Sequence, residues 1–183
     1  MSVIKFGAWQ DLSGNEVANS SEPVGDVGLV FIKSQTIGTN VSSVTVSDVF
    51  SSAFDNYRII LSNISCTSTD NVVFCRLDNH TSTTYDITLP YWRPDGTTGV
   101  YVQNGTNNGL AIGGTGANAS SACDLFGPYL TGIKRATCVY TTDNAGGTAS
   151  SWDTSTDSRT GFTFRPSAGT MTGGTVRVYG YRN

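Results

Sequence analysis

Short runs of β-forming residues recur along the chain from residue 27 to residue 183, at a spacing of roughly ten residues. The runs at 56–65 and 84–92 are rich in Ile, Thr and Tyr. Dipeptides typical of turns, such as Asp95-Gly96, Asn104-Gly105 and Gly146-Gly147, punctuate the second half of the chain, and we predict turns there. No segment sustains the 3.6-residue apolar period of an amphipathic helix. The pattern therefore predicts an all-β protein and excludes helical bundles and helix-rich enzyme folds.

The C-terminal run at 174–183 shows the pattern most clearly. Val176 and Val178 fall on one side of the strand, and Arg177 and Tyr179 fall on the other. Such alternation is typical of an antiparallel strand with one buried face. With about eight to eleven strands of this kind, we expect residues 27–183 to form an antiparallel β-sandwich of jelly-roll type.

The first 26 residues differ from the rest of the chain. Ile4 and Phe6 share one face of a short alternating segment, Trp9 follows, and a polar stretch then leads to Pro23. We interpret residues 1–26 as an extended N-terminal arm and linker. Its apolar tip either packs back on the domain at 27–183 or docks on another chain, for instance by adding a strand to an open sheet edge.

The composition bears on association. Thr, Ser, Gly and Asn make up 80 of the 183 residues, and only 14% of the residues are charged. Because these small polar residues fall on both faces of the strands, a single sandwich is expected to have a thin core and flat, polar edges that invite further pairing. Self-association as a cyclic oligomer would bury what one chain leaves exposed.

The charge pattern excludes several partners. Eleven basic and fourteen acidic residues give a net charge of −3, and no cluster of Lys or Arg follows a phosphate backbone, so we expect no binding to nucleic acid. The longest apolar run, at 28–32, is too short to span a bilayer, and the N-terminus lacks the pattern of a secretory signal. We therefore expect no membrane insertion, and folding in a cytosol.

The four cysteines are Cys66, Cys75, Cys123 and Cys138, and they form no C-x-x-C pair. We expect them to be reduced thiols in the core. The alternative is a disulfide between Cys66 and Cys75 or between Cys123 and Cys138, since each pair brackets a plausible turn and would need facing positions on neighbouring strands.

Catalysis and metal binding find little support in the sequence. The single histidine, His80, falls in a predicted solvent-exposed turn, and the chain contains no zinc or calcium motif. Asp86, Asp95, Asp153 and Asp157 are available for glycoside cleavage, but carboxylates in turns usually bind solvent or local backbone. We predict a protein without enzymatic activity, cofactor or metal.

The segment around the turn at Asp95 is the best candidate for a ligand-binding site. Tyr91, Trp92, Arg93, Asp95 and Tyr101 combine ring faces that stack on sugars with charged groups that bind hydroxyls. We take these five residues as a candidate ligand site. The alternative is that Tyr91 and Trp92 fill the core or a seam between subunits, where aromatic residues are equally common.

The run GLVFIKSQTIGTNVSSVTVSDVFSSAFDNYRIIL at 28–61 and the closing FTFRPSAGTMTGGTVRVYGYRN at 162–183 resemble small virion proteins of tailed bacteriophages, a group generally labelled tail-fibre or minor structural proteins. The opening IKFGAWQDLSGN at 4–15 is similar to the N-terminal segments of such proteins. These likenesses are structural rather than catalytic, so they assign no functional residue.

The resemblance implies a structural protein of the virion, assembled in the host cytoplasm. Ile4, Phe6 and Trp9 would then attach the arm to another virion protein. The preferred expectation is a trimeric short fibre or fibre-tip adhesin that binds a host cell-surface glycan. The alternative is a capsid decoration protein or head fibre that stabilises the shell, which would be present in hundreds of copies.

Overall fold

The computed structural model describes residues 9–10, 16–18, 28–68, 72–78, 80, 83–106, 109–114 and 117–182. Within these ranges the chain forms β-strands and no helix, so the prediction of an all-β protein is confirmed. None of the described residues accordingly belongs to a helix that is long and apolar enough to cross a membrane.

The described residues form fourteen strands. In chain order these are β1 (Trp9–Gln10), β2 (Glu16–Ala18), β3 (Leu29–Thr36), β4 (Val44–Val46), β5 (Asn56–Cys66), β6 (Val72–Leu77), β7 (Tyr85–Trp92), β8 (Thr98–Thr106), β9 (Leu110–Gly114), β10 (Ala119–Phe126), β11 (Lys134–Thr141), β12 (Gly146–Asp153), β13 (Phe162–Pro166) and β14 (Met171–Tyr181).

Twelve of these strands build two antiparallel sheets. The large sheet has eight strands in the order β3-β14-β5-β10-β11-β12-β7-β8, and the small sheet has four in the order β4-β13-β6-β9. The strands β1 and β2 pair with each other, with Trp9 opposite Ala18. Ile4 and Phe6 lie outside the described residues.

The unequal widths of the two sheets position the functional site. Strand β9 is the edge of the small sheet, and it packs across β10, β11, β12 and β7. The large sheet extends beyond this edge by its outermost strands, so the inner face of the β7–β8 hairpin is only partly covered.

The core between the sheets is fuller than the composition predicts. Side chains such as Tyr57, Phe74, Phe162 and Phe164 are fully buried, and Phe50 packs on Tyr57 with ring centroids 4.8 Å apart. The expectation of a thin core is wrong, because the small polar residues lie mainly on outward positions while inward positions are apolar. Each fully buried aromatic or aliphatic side chain contributes about 1.5–3 kcal/mol.

Strand β11 illustrates the alternation. Ala136, Cys138 and Tyr140 point into the core, while Thr137 and Val139 point outward. The same alternation predicted for the C-terminal strand is confirmed, since Val176 and Val178 are buried in β14.

The prediction of reduced cysteines is wrong for one pair. Cys123 of β10 lies directly opposite Cys138 of β11, with their Cα atoms 4.1 Å apart, and the two form a disulfide. The antiparallel register creates this proximity. Cys66 and Cys75 are free thiols, and complete burial raises the pKa of Cys75.

The Gly146-Gly147 pair is also not the predicted turn, because both residues belong to β12. A Cβ built on Gly147 would collide with the carbonyl oxygen of Pro90 and would stand 2.7 Å from the Tyr140 hydroxyl. The glycine thus serves close packing within a strand. Asn104-Gly105 likewise lies within β8, where Gly105 takes a φ of +60° beside a register shift.

Candidate ligand-binding site

A surface pocket of about 420 Å³ lies on the inner side of the β7–β8 hairpin, where the large sheet extends beyond the small one. Its lining combines aromatic rings, one guanidinium and several small polar groups. The residues are Val72, Leu89, Tyr91, Arg93, Tyr101, Gly114, Tyr140, Thr142, Asn144, Ala145 and Ser167.

Two of the tyrosines reach the pocket from the β7–β8 hairpin. Leu89 pairs with Tyr101, and Tyr91 pairs with Gly99, so both tyrosines lie on the inner face. A Cβ built on Gly99 would stand 2.5 Å from the Tyr91 hydroxyl oxygen. The Tyr91 ring therefore lies across the backbone of Gly99, and a side chain at this position would displace it.

The third tyrosine comes from β11. Tyr140 and Tyr91 both pair with Gly147, one from each neighbouring strand, and the glycine makes room for the Tyr140 ring. The Tyr140 ring also packs against Gly114 of the small sheet, since a Cβ built on Gly114 would stand 2.9 Å from Cε2 of Tyr140. Sequence reasoning missed Tyr140, because only the register of β11, β12 and β7 brings it beside Tyr91.

The electrostatics favour neutral phenols beside one cation. Burial, together with the neighbouring Tyr91, raises the pKa of Tyr140 to about 12. Burial also raises the pKa of Tyr101. The Arg93 guanidinium lies 5.8 Å from the centroid of the Tyr91 ring, within cation–π range. At neutral pH the two phenols are therefore protonated and able to donate hydrogen bonds.

The turn between β11 and β12 forms a firm rim. The N–H of Thr142 donates to the carbonyl oxygen of Ala145 at 2.7 Å, and the N–H of Ala145 donates to Oγ1 of Thr142 at 2.9 Å. Oγ1 of Thr142 also lies 3.0 Å from Oδ1 of Asn144. These bonds hold the polar groups of the rim in place before any ligand binds.

The structure brings together three of the five residues singled out by sequence. Tyr91, Arg93 and Tyr101 line the pocket, but Trp92 points to the opposite face of the sheet, where its indole lies over Gly146. Asp95 lies in the hairpin turn and accepts a hydrogen bond of 2.8 Å from the N–H of Thr97, which lowers the pKa of the carboxyl.

The carboxylates considered for glycoside cleavage lie apart from the pocket, since no Asp or Glu is among the described residues that line it. Asp86 lies on the outer face of β7 and accepts a hydrogen bond from the N–H of Gly105 at 2.7 Å. Asp153 is buried in the core and accepts hydrogen bonds from Thr84 Oγ1 at 2.6 Å and from the N–H of Ser155 at 2.9 Å.

Asp153 belongs to a charged cluster with a structural role. Arg159 approaches Asp153 at 3.9 Å and Asp157 at 3.6 Å, and Lys134 donates to the carbonyl oxygen of Ser155 at 3.3 Å. Burial, followed by the charge of Arg159, lowers the pKa of Lys134. These contacts fix the segment 154–159 to the end of the sheet.

His80 is half-buried rather than solvent-exposed, with its ring centroid 6.0 Å from that of Tyr85. In the part of the chain that the structure describes, no three His, Cys, Asp or Glu side chains come together as metal ligands. The pocket is lined by three tyrosine rings and one cationic side chain, Arg93. Comparison of the chain with protein families, with curated proteins and with solved structures finds no significant match.

Proposed function

We propose that the chain is a short fibre or fibre-tip adhesin of a tailed-bacteriophage virion, a homotrimer that binds a host cell-surface glycan without catalysis. The observation that carries this proposal is the pocket in which Tyr91, Tyr101 and Tyr140 surround an open space beside Arg93. The resemblance of 28–61 and 162–183 to phage virion proteins supplies the biological setting.

The pocket offers the interactions that a sugar requires. The apolar faces of a pyranose ring stack on aromatic side chains, and its hydroxyl groups accept hydrogen bonds from phenols and guanidinium. Protonated Tyr140 and Tyr101 act as donors at neutral pH. Since no carboxylate is found among the described lining residues, the pocket suits recognition of a glycan better than its cleavage.

The strand order supports a jelly roll as the underlying fold. If the hairpins β7–β8 and β11–β12 are set aside, eight strands from β3 to β14 remain, in sheets of order β3-β14-β5-β10 and β4-β13-β6-β9. Consecutive strands of this set alternate between the two sheets, except that β6 and β9 are neighbours in the small sheet. The first strand pairs with the last, β3 with β14, and the second with the second to last, β4 with β13, as in a double Greek key. The two hairpins then extend one sheet and build most of the pocket.

The N-terminal arm is the proposed point of attachment. In this proposal Ile4, Phe6 and Trp9 dock residues 1–26 on another virion protein, and the domain at 27–183 faces the host. The disulfide between Cys123 and Cys138 suits a protein that acts outside cells, where thiols oxidise.

A trimer with three pockets would bind the host surface firmly even if each single pocket binds its glycan weakly. If one stacking ring contributes about fivefold in affinity at each site, three sites engaged together change the avidity on the order of 100-fold. An adhesin of this kind adsorbs firmly without a tight single site.

The test uses purified full-length protein on an array of bacterial surface glycans. We expect binding that Tyr101→Ala and Arg93→Ala each weaken on the order of 100-fold, because each removes a pocket contact at every site. Tyr179→Ala, a half-buried tyrosine on the outer face, is the matched control and should leave binding unchanged. Retention of binding by both pocket variants would refute the site.

Two further experiments distinguish an adhesin from an enzyme and from a capsid decoration protein. A reducing-end assay on any glycan that binds should show no cleavage, and turnover would overturn the non-catalytic proposal. Particles that lack the protein should fail to adsorb. Normal adsorption with a weakened shell would instead identify a capsid decoration protein or head fibre.

A further inference from the structure

Three successive rows of outward side chains on β11, β12, β7 and β8 are uncharged and include exposed apolar groups. Val100, Val139, Val102 and Trp92 expose 61%, 60%, 55% and 52% of their surface. Their outward neighbours on these four strands are Thr, Ser, Gly and Pro over three successive rows of the sheet. We call these three rows the neutral face.

One row of the neutral face has an exposed valine at each end, so that the opposite ends of this row in two copies can pack together. Val139 pairs with Thr148, and Pro90 pairs with Val100. Because Gly147 pairs with Tyr91, Thr148 and Pro90 continue the same row. The row therefore carries one valine at its β11 end and another at its β8 end.

The row next to the neutral face carries opposite charges on β11 and on β7. Arg135 pairs with Trp152, and Trp152 pairs with Asp86, so a cation on β11 and an anion on β7 flank one tryptophan at the same height along the strands. Arg135 is exposed, and Asp86 is half-buried. A neighbouring copy that meets this row with its own opposite end thus places Arg135 near Asp86.

A three-fold axis parallel to the strands produces this arrangement. Such an axis keeps every row at the same height in all copies, so the β11–β12 half of one face meets the β7–β8 half of the next. Val139 of one copy then meets Val100 of the next, and Arg135 comes within reach of Asp86. The edge of β8, which has no partner strand among the described residues, comes to lie against a neighbour.

The width of the face fits three copies. Four strands span about 19 Å, and three faces of that width enclose a prism whose axis lies about 5.5 Å from each sheet, close to half of the ~10 Å between packed sheets. Together with the charged row beside it, the neutral face has a footprint of about 19 Å by 27 Å, or about 500 Å² per copy. Each copy divides this area between its two neighbours, so the trimer buries on the order of 1,500 Å² in total.

We propose that the neutral face is the surface through which three copies of this chain associate, with Trp92 and Trp152 in the seam between them. This inference rests on the trimer of the proposed function and assigns its interface. It also separates Trp92 from the glycan site that Tyr91 lines.

The test is the mass of the full chain in solution, measured by light scattering after size exclusion. Val139→Glu places a carboxylate in each of the three contacts, so we expect the trimer constant to weaken roughly 100-fold or more and the mass to fall threefold. Phe31→Glu is the matched control, since Phe31 is 57% exposed on the other half of the sheet and should leave the trimer intact. Circular dichroism must show that both variants keep the wild-type fold.

A charge exchange gives a second reading that does not depend on loss of association. Arg135→Asp should weaken the trimer, and the double variant Arg135→Asp, Asp86→Arg should restore it. If Val139→Glu stays trimeric, or if Phe31→Glu dissociates as well, the neutral face is not the interface although the trimer stands. If the wild-type protein is a monomer at micromolar concentration, the trimer itself fails, while glycan binding by the pocket is still judged on the array.

Discussion

The two halves of the outer face of the large sheet differ in how their exposed side chains interact with one another. On β5, β10 and β14, Arg58 donates to both oxygens of Asp124 at 2.8 and 2.7 Å, Tyr181 donates to the same carboxylate, and the guanidinium lies 5.7 Å from the Tyr181 ring centroid. At the β3 edge, Phe31 packs edge-on against Tyr179. The neutral face has no comparable network among the described residues.

This difference concerns how each half arranges its exposed side chains. The polar network joins side chains of its own strands, and the exposed apolar side chains of this half lie on the edge strand β3, at Leu29 and Phe31, and at the end of β10, at Phe126. The neutral face leaves valine and tryptophan side chains exposed in a contiguous area, and such areas commonly mark interfaces. The division falls between β10 and β11, where the Cys123–Cys138 disulfide crosses from one half to the other.

We expect the largest loss of stability from removing the Cys123–Cys138 disulfide, which joins the two halves. The disulfide closes a loop of 15 residues, and its removal in Cys123→Ala with Cys138→Ala should lower the free energy of unfolding by about 3 kcal/mol. Urea denaturation followed by tryptophan fluorescence measures the change. Cys66→Ala removes a free, half-buried thiol and should cost far less, so equal losses in the two proteins would show that the cross-link itself contributes nothing.

A smaller effect is expected beneath the neutral face. Gly147→Ala introduces a Cβ that collides with the Pro90 carbonyl and the Tyr140 hydroxyl, which should cost about 1–3 kcal/mol and shift the Tyr140 ring in the pocket. Thermal unfolding measures the loss. Gly38→Ala is the control, since its nearest neighbour would lie at 3.4 Å, and a similar loss there would contradict the packing explanation.

The smallest effect is expected in the polar half. Arg58→Ala should cost at most about 1 kcal/mol, because the pair is partly exposed, and the mass of the assembly should not change. The hydrogen bonds from Arg58 lower the pKa of Asp124. The stabilisation is therefore present above the unfolded pKa of about 4 and is lost as the pH falls through the folded value. Urea midpoints of wild type and variant should converge at low pH, and a constant difference would exclude this ion pair as the cause.

The sequence predicted the fold class and much of the strand pattern, but not the features that depend on register. Alternation in β14 identified its buried face correctly. Strand β12 was not predicted, because its Gly146-Gly147 pair signals a turn unless the rings of Trp92 and Tyr140 are known to lie beside it. The disulfide likewise depends on Cys123 facing Cys138, and the sequence offered this pair only as one of two alternatives to free thiols.

Sequence reasoning about the candidate site missed Tyr140 and wrongly grouped Tyr91 with Trp92. The two-residue period of the segment 84–92 already places Tyr91 and Trp92 on opposite faces, so one pocket cannot contain both side chains. That signal was present in the sequence. Tyr140 was not accessible in this way, because it reaches the pocket from a strand almost fifty residues further along the chain.

The alternation within β7 offers a practical rule for engineering this protein. Leu89, Tyr91 and Arg93 face the pocket, whereas Pro90 and Trp92 face the other way. Under the proposed site and the proposed interface, substitutions at positions 89, 91 and 93 should change ligand binding and leave the trimer intact. Substitutions at positions 90 and 92 should change subunit association and leave ligand binding unchanged.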